Sequence, residues 1–376
     1  MDFLDPKSIR DKICIVGVGN TKYGNFPETD AYGLGAEALK NALDDAGLRL
    51  SDLDGLVVNR IPSYERFSEM IGLKNQRFGF QLPAAGRMSA LSVMLAAAAL
   101  LTGQASYVGL VYGNNGRSVR DYYGGGDSLW SPWGFTSPGA RHAMMFRRHM
   151  HLYGTTSEQL AHVGVTFRKH ASLNPNAVMQ KPYTVEDHQN SRFICEPLRL
   201  LDYCLINDGG VALIMTTADR ARHLKKPPVY IRAMARADTY TDTSFYTPLD
   251  DFWYDALQQV AREIYPAAGI SRDEVNALMI YDNFSPTVLF SLEGMGFCPR
   301  GESGPFVADG NLGLDGRCPT NTSGGHLSES YMQGWALIVE AVRQLRGECG
   351  ARQVKNCEVV QYICATPIAT SIIFRR

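Results

Sequence analysis

The sequence lacks the cysteine spacing of a metal site or of a disulfide-bonded secreted domain. Its eight cysteines are scattered and form no CxxC or CxxH pair. Paired spacing is the usual signature of a zinc site, and a disulfide framework is not expected in a large cytoplasmic chain. We therefore expect most of the thiols to be reduced, buried and small hydrophobic in character. They are Cys14, Cys195, Cys204, Cys298, Cys318, Cys349, Cys357 and Cys364.

Long hydrophobic runs are also missing. The longest candidate, Ala84–Leu101, is interrupted by Gly86, Arg87, Ser89 and Ser92. It falls short of the roughly 20 apolar residues that a membrane helix needs. The opening stretch MDFLDPKSIRDK has no apolar core of the kind found in signal peptides. We expect a cytoplasmic protein without a membrane span.

An excess of charge of either sign is absent. The chain has 37 basic and 38 acidic residues and a formal net charge of -1. This balance gives no reason to expect nucleic acid or an anionic membrane as a partner. Of its 376 residues, 45% are hydrophobic and 20% are charged, which is typical of a globular protein with one large or two medium cores.

Strand-like and helix-like segments alternate along the chain, which predicts an α/β fold. The first series has strands at KICIVGVGN, Leu53–Arg60 and Tyr107–Gly113, and helices at Tyr32–Ala46 and Ser89–Leu101, the latter ending at Gly103. The second series has strands at Ile206–Thr217, Pro227–Ala237, Asn276–Phe284, Glu358–Ala365 and Thr370–Phe374, with helices at Phe252–Ala267 and Tyr331–Arg346. The pattern predicts an N-terminal half at 1–225 and a C-terminal half at 226–376.

A long irregular segment interrupts the first half. Asn114–Pro138 is rich in glycine and aromatic residues, and a loop of this length in a compact domain is usually functional or disordered. Its aromatic part, Tyr122–Phe135, has the residue types of a pocket or a protein interface. Helices are predicted after it at Ala140–Leu152 and up to His170, so that 114–200 forms an insertion.

Five short segments follow one another in an order that resembles the thiolase superfamily over nearly the whole chain. The resemblance is closest to the sterol-carrier-type, lipid-transfer branch of thiolase-like proteins. It implies two similar βαβαβαββ halves in a five-layered α/β/α/β/α core, and a homodimer. The segments are TGQASYV at Thr102–Val108, CLINDGGVAL at Cys204–Leu213, YDNF at Tyr281–Phe284, NTSGG at Asn321–Gly325 and YICATP at Tyr362–Pro367.

The resemblance places the acyl-accepting cysteine of thiolases at Gly86, within LPAAGRMSA. Glycine carries no nucleophile, so we expect no acyl-enzyme at this position. Ser89 lies close by, and it is either a helix cap or a substitute nucleophile. Gly86 and Ser89 are both expected to line the substrate.

The resemblance also assigns two catalytic positions to tyrosines. Tyr331, six residues beyond Gly325, stands where thiolases have an active-site histidine, and Tyr281 opens the second active-site segment. In thiolases these positions form an oxyanion hole for the thioester carbonyl. Tyr281 and Tyr331 are therefore predicted to be catalytic, with Asn283, Gly324 and Gly325 contacting the substrate.

Cys364 matches the C-terminal cysteine of thiolases, which transfers a proton. The glycines that follow it in the family are replaced by Ala365-Thr366-Pro367, and proline has no N–H to donate. Cys364 is predicted to be catalytic, with simple packing as the alternative.

Other polar residues have structural interpretations. Asp282 is expected to order its loop, His326 to be a surface or structural residue, and Asp208 to form a turn. A tyrosine can also be a core residue whose hydroxyl is hydrogen-bonded. Because a free phenol has a pKa of about 10, the role of hydrogen-bond donor is easier to assign to these tyrosines than the role of base.

The lost cysteine and the gained tyrosines together resemble the thiolase-like aldolases of bacterial steroid side-chain breakdown. That resemblance implies retro-aldol cleavage of a bulky β-hydroxyacyl-CoA to a ketone and a shorter acyl-CoA. It implies no bound cofactor or metal, and a small zinc-ribbon/OB-fold partner subunit in a heterotetramer. A thiolase or acyltransferase acting on 3-oxoacyl-CoA, and a non-catalytic acyl-CoA- or lipid-binding protein, remain open alternatives.

Overall fold

A mixed sheet of nine strands forms the centre of the computed structural model, which describes residues 6–121, 131–135, 137–238 and 251–376. A separate two-stranded hairpin lies in the insertion. The strands are β1 Ile13–Asn20, β2 Gly55–Asn59, β3 Phe78–Leu82, β4 Tyr107–Asn114, β5 Phe193–Cys195, β6 Leu198–Arg199, β7 Gly209–Thr217, β8 Val229–Asp238, β9 Ala277–Ile280, β10 Val359–Cys364 and β11 Ile368–Arg375. Strands β5 and β6 make the hairpin.

Helices connect the strands, and several end at the capping residues that the sequence indicates. Asp30 accepts a hydrogen bond from the N–H of Gly33 at the start of the first helix, and Gly47 ends it with a φ of 71°. The helices are α1 Ala31–Ala46, α2 Tyr64–Ile71, α3 Met88–Leu101, α4 Pro138–Tyr153, α5 Ser157–Ala171, α6 Val185–Asn190, α7 Ala218–Ala221, α8 Tyr254–Ala268, α9 Ser285–Met295, α10 Ser303–Ala308, α11 Gly325–Ser328 and α12 Trp335–Arg346.

The strand order repeats between the two parts of the sheet. The first part runs β3-β2-β4-β7-β1 and the second runs β8-β11-β10-β9, joined through a short antiparallel contact between β1 and β8. The first part follows the predicted βαβαβαββ order. The second part differs by one strand, because the segment that would pair beside β9 makes only an isolated bridge between Leu278 and Thr320. The division at residue 225 stays a prediction.

Five layers follow from where the helices pack. Helices α3 and α12 share one buried cluster with residues from both parts of the sheet. Helix α1 packs on the outer face of the first part, and helix α8 packs on the outer face of the second. The α/β/α/β/α layering is confirmed, and it places α3, α12 and the ends of β9 and β10 around one central region.

Two predicted elements near this region are present, but one of the predicted bounds of each was wrong. The strand expected over Asn276–Phe284 ends at Ile280, and the chain turns there into α9. The helix expected from Tyr331 begins at Trp335, because Gln333 and Gly334 have φ values of 45° and 91°, in the left-handed region that a right-handed helix excludes. Helix α2 and strand β3 were not predicted.

The remaining sequence predictions concern the aromatic loop, membrane spans and cysteines. Residues 122–130 of the loop Tyr122–Phe135 lie outside the described residues. Within the described ranges, no helix is both long and apolar enough to cross a membrane. All eight cysteines are free and six are buried, which confirms that most of them are reduced and buried.

Candidate active site

Two phenols lie side by side in the buried centre of the molecule. The hydroxyl oxygens of Tyr281 and Tyr331 are 2.7 Å apart, so one donates a hydrogen bond to the other. Their exposed fractions are 2% and 7%. The structure thus brings together the two residues that the sequence pairs. Because only one hydroxyl hydrogen is used between them, the other can be donated to a third oxygen.

The two tyrosines lie in different kinds of secondary structure, one at the end of a strand and the other in an irregular loop. Tyr281 follows the carboxyl end of β9, and its N–H donates to the carbonyl of Ile363 in β10 at 2.8 Å. Tyr331 lies in the loop of residues 329–334 between α11 and α12. Strands β9 and β10 are parallel, and the carboxyl ends of parallel strands are the usual place for sites in α/β proteins.

Gly86 faces the phenol of Tyr281. A Cβ atom built on Gly86 would lie 2.1 Å from Cζ of Tyr281 and 2.5 Å from its hydroxyl oxygen, closer than real Cβ contacts. A cysteine at position 86 is therefore incompatible with Tyr281 in this place. The ring of Tyr281 thus fills the space that a side chain at position 86 would need.

His326 and Asp282 form a buried pair against the two phenols. The imidazole lies edge-on to both rings, with centroid distances of 4.8 Å to Tyr281 and 5.2 Å to Tyr331. Its Nε2 accepts a hydrogen bond from the N–H of Gly334 at 2.9 Å, and its Nδ1 lies 2.9 Å from Asp282 Oδ1. A neutral ring whose Nε2 accepts a hydrogen bond carries its proton on Nδ1, the nitrogen nearer the carboxylate, although this contact lacks hydrogen-bond geometry.

Asp282 also orders the loop, as predicted. Its carboxylate accepts the backbone N–H groups of His326 and Leu327 at 2.9 and 3.2 Å. His326 was expected to be a surface or structural residue; it is fully buried, so only the structural part of that expectation holds. The pair therefore fixes the start of the segment that carries Tyr331.

A second hydroxyl pair lies next to Gly86. The Ser89 hydroxyl is 2.9 Å from the Tyr362 hydroxyl and donates to the carbonyl of Gly86 at 3.1 Å. Ser89 lies inside the first turn of α3, with Arg87 at the N-cap, so the capping prediction was wrong. Tyr362 and Cys364 are two residues apart in β10 and share one face of the strand.

The other predicted substrate contacts have local partners. Asn283 Oδ1 accepts from the backbone N–H of Phe284 and the hydroxyl of Thr287, at the start of α9. Gly324 and Gly325 have φ values of 107° and 60°, which favour glycine. A Cβ on Gly325 would lie 2.3 Å from Asp282 Oδ2. Contacts of these residues with a substrate stay predictions.

Burial keeps the Tyr281 phenol and the Cys364 thiol protonated. Burial raises the pKa of Tyr281 well above its usual value, and the neighbouring phenol of Tyr331 and thiol of Cys364 add to the rise. Burial likewise raises the pKa of Cys364 to about 12. These groups can donate hydrogen bonds and relay protons, but a resting phenolate or thiolate is disfavoured.

Sequence reasoning assigned no role to three residues of this region, Tyr362, Asn207 and Glu329, and it did not predict that His326 is buried against the phenols. Tyr362 could have been found from the sequence, because it lies two residues before Cys364 in a predicted strand, and residues two apart in a strand point to the same face. Asn207 belongs to the CLINDGGVAL segment, but its contact with the N–H of Tyr331 at 2.8 Å spans 124 residues and has no local pattern.

Glu329 is a buried carboxyl group close to the phenols in sequence. Its oxygens accept hydrogen bonds from Asn174 Nδ2 at 3.0 Å and from the Ser323 hydroxyl at 2.6 Å. Burial raises the pKa of Glu329 to about 7, and the nearby Glu340 carboxylate adds to the rise. The folded protein therefore favours the protonated form of Glu329.

This raised pKa predicts a loss of stability as the pH rises from about 4.5 to about 7. The stabilising effect of protonation is fully present below the ordinary pKa of 4.5, and it is lost as the pH rises through about 7. Glu329→Gln mimics the protonated side chain, so wild type should lose stability relative to this variant between about pH 4.5 and 7, with no further loss at higher pH. Urea unfolding of both proteins at each pH measures the difference, and parallel pH profiles would contradict the prediction.

Comparisons with known proteins show that the chain is similar to thiolase-like proteins and to steroid side-chain-cleaving aldolases. Residues 239–363 match the family described as Thiolase C-terminal domain-like. The chain is 39% identical over 377 residues to the 17-hydroxy-3-oxo-4-pregnene-20-carboxyl-CoA lyase of Mycobacterium tuberculosis, covering 95% of this chain and 97% of that protein. It is 39% identical over 353 residues to the steroid side-chain-cleaving aldolase of Thermomonospora curvata, covering 89% and 90%. The solved Ltp2-ChsH2(DUF35) aldolase superposes with a TM-score of 0.91 and 36% identity over 98% of both chains.

Proposed function

The chain belongs to the thiolase superfamily, in its branch of steroid side-chain-cleaving aldolases, and we propose that it is a cytoplasmic acyl-CoA retro-aldolase. The substrate is a bulky β-hydroxyacyl-CoA of the steroid side-chain class, which is cleaved to a ketone and a shorter acyl-CoA. The observation that carries the proposal is the buried phenol pair packed against Gly86, the position that the resemblance to thiolases assigns to their nucleophile.

The reaction needs a proton acceptor and a proton donor but no covalent intermediate. The β-hydroxyl loses its proton as the Cα–Cβ bond breaks. The electron pair of that bond passes into the thioester as an enolate, and the ketone leaves. The α-carbon then takes up a proton to give the shorter acyl-CoA. Atoms and charges balance if the proton lost by the hydroxyl is replaced at the α-carbon.

Two hydrogen-bonded phenols suit this proton balance. One phenol oxygen accepts a proton while its own hydrogen passes to the second phenol, which donates in turn. Both phenols are neutral before and after the transfer, which agrees with the raised pKa of Tyr281. The same hydroxyl groups can stabilise the enolate oxygen by hydrogen bonding. Tyr281 and Tyr331 are thus proposed to be catalytic, with Cys364 as a further proton donor.

Gly86 argues against the competing acyl-transfer reaction. Thiolysis requires a nucleophile that becomes acylated, and position 86 has neither a side chain nor space for one beside Tyr281. Ser89 could replace the cysteine only by giving up its contacts with Tyr362 and the Gly86 carbonyl. The thiolase alternative is therefore less favoured than aldol cleavage.

A second subunit is part of the proposal. The solved structure that superposes on the chain is described as an Ltp2-ChsH2(DUF35) aldolase. We propose that this chain forms a homodimer that binds a small zinc-ribbon/OB-fold subunit, giving a heterotetramer. Coexpression with such a subunit should yield a complex with twice the mass of one heterodimer by light scattering. A fully active monomer would contradict this arrangement.

The decisive experiment uses free CoA, because thiolysis consumes it and aldol cleavage does not. The purified protein, alone and with the partner subunit, is incubated with steroid β-hydroxyacyl-CoA thioesters with and without free CoA. We expect ketone and shorter acyl-CoA at the same rate in both conditions. Strict dependence on free CoA would contradict the proposal.

Mass spectrometry of the intact protein provides an independent check. After incubation with acetyl-CoA or acetoacetyl-CoA, the protein mass should be unchanged because no acyl-enzyme forms. An acyl group on any side chain of the chain, Ser89 included, would favour the thiolase alternative. Binding of the thioester without turnover in any combination would favour a non-catalytic binding protein.

A further inference from the structure

Tyr331 depends on a hydrogen bond from the other half of the chain. Its backbone N–H donates to Asn207 Oδ1 at 2.8 Å, and the two residues are 124 positions apart. Asn207 precedes β7 and is only 2% exposed. The loop of residues 329–334 has no regular helix or strand, and it includes Gln333 at a φ of 45°. This contact therefore joins an irregular segment to a buried residue two positions before β7, at the N–H next to the Cα that carries the phenol.

Asn207 is itself held by a short chain of polar side chains. Asn114 Nδ2 donates to the Asn207 carbonyl at 2.8 Å, and Asn114 is fully buried at the end of β4. Arg60 Nε donates to Asn114 Oδ1 at 2.7 Å, and the same guanidinium reaches Asp121 at 2.5 Å. The chain of contacts runs from the surface at Asp121 to the backbone of Tyr331.

The neighbouring Asp208 binds the start of the insertion. Its buried carboxylate accepts the backbone N–H groups of Arg117 and Ser118 at 2.8 and 3.2 Å. It also accepts the N–H of Phe26 at 2.8 Å. Asp208 was predicted to be a turn residue; it joins three separate segments instead. The Asn207-Asp208 pair thus supports both residues 115–121 and the loop that carries Tyr331.

We propose that Asn207 is a positioning residue for Tyr331, and that Asn114 and Arg60 hold Asn207 in place. Without this acceptor, the buried N–H of Tyr331 loses its hydrogen bond to Asn207, and the loop shifts in response. Such movement carries the Tyr331 hydroxyl away from that of Tyr281, and displacements of about 1 Å are enough to impair catalysis. The assignment of Tyr331 as the affected group rests on the proposed function.

The test compares two substitutions of Asn207 with a matched asparagine elsewhere. Asn207→Ala removes the acceptor, whereas Asn207→Asp keeps an acceptor oxygen at the same place. Asn276→Ala is the control, because Asn276 Oδ1 also accepts backbone N–H groups, those of Glu358 and Val359 at 2.9 Å. Asn276 lies at the amino end of β9, and Tyr281 lies beyond its carboxyl end.

The first readout is hydrogen exchange at the Tyr331 amide, measured without substrate. Asn207→Ala should speed this exchange roughly 10-fold to 100-fold relative to the amides of β10, the range expected when one buried hydrogen bond is lost. Asn207→Asp should keep the protection, and Asn276→Ala should leave Tyr331 unchanged. Should Asn207→Ala fail to fold, Asn114→Asp removes the donor to the Asn207 carbonyl but keeps the acceptor for Arg60, and it should give a smaller increase.

The second readout is kinetic. Asn207→Ala should lower kcat on the order of 10-fold to 100-fold with KM changed less than about threefold, because the loop places a group used in the transition state. Unchanged exchange at Tyr331 in both Asn207→Ala and Asn114→Asp would overturn the inference. Increased exchange in a protein that cleaves no acyl-CoA would leave the inference standing and overturn the proposed function instead.

Discussion

Replacing either Tyr281 or Tyr331 with phenylalanine should lower kcat on the order of 100-fold to 1000-fold, the cost of one lost donor to a developing oxyanion. Each substitution removes one oxygen and keeps the buried ring, so the packing of the core is preserved. Because the proposed role of the hydroxyl is to stabilise charge that develops during bond cleavage, the loss should fall on kcat more than on KM. Steady-state kinetics of aldol cleavage, recorded beside melting curves, measure both effects.

Tyr265→Phe is the matched control for these variants. Tyr265 is also a buried tyrosine, and its hydroxyl donates to Gln361 at 3.0 Å, in the cluster on the outer face of the second part of the sheet. Its loss should change stability by an amount typical of one hydrogen bond and change kcat less than about tenfold. Near-normal kcat in both Tyr281→Phe and Tyr331→Phe would exclude the pair and shift attention to Cys364 and Tyr362.

The double variant distinguishes a relay from two independent donors. If the phenols pass a proton between them, removing the first hydroxyl already breaks the path, and the double variant should be about as slow as either single variant. If each hydroxyl binds a different oxygen of the substrate, the losses should multiply. The 2.7 Å separation of the two oxygens favours the first result.

The order of elements in the fold was predictable because local patterns report it directly. Alternating strands and helices, and segments such as YICATP, lie where the sequence indicates, and Tyr281 and Tyr331 meet. The exact conformation of the Tyr331 loop was not predictable. The helical pattern of α12 gives no sign of where the helix begins, and the left-handed φ of Gln333 is unusual for a residue with a side chain.

Long-range contacts between polar side chains were the second feature that could not be predicted from the sequence. His326 lies in a polar, glycine-rich stretch that is typical of an exposed loop. Only the tertiary structure shows that its ring contacts Asp282 and Gly334. Asn207 contacts Tyr331 across the two parts of the sheet, and nothing local in either segment marks the pair. Such partners depend on tertiary packing, so sequence periodicity carries no information about them.

Gly86→Ala should be a severely damaging single-methyl substitution in the site. The added Cβ would lie 2.1 Å from Cζ and 2.4 Å from Cε2 of Tyr281, so the ring must move. It cannot move without stretching or breaking the hydrogen bond to Tyr331, since both rings are buried. We expect kcat to fall on the order of 100-fold or more, comparable with loss of the phenol itself. Overpacking should also cost about 1–3 kcal/mol of stability.

Gly313→Ala is the control for Gly86→Ala, because a Cβ on Gly313 has only the Gly310 carbonyl within reach, at 3.3 Å. Coupling between Gly86 and Tyr281 is measured with a second pair of variants, Gly86→Cys and Gly86→Cys/Tyr281→Asn. If the ring is the obstacle, the cysteine should destabilise the protein beside Tyr281 and should be tolerated beside the smaller asparagine, with a coupling free energy of about 1–3 kcal/mol. If Gly86→Cys lowered the stability equally with Tyr281 present and with Tyr281→Asn, Gly86 and Tyr281 would not compete for this space. The idea that the glycine is there to admit the phenol would then fail, even if the enzyme proves to be an aldolase.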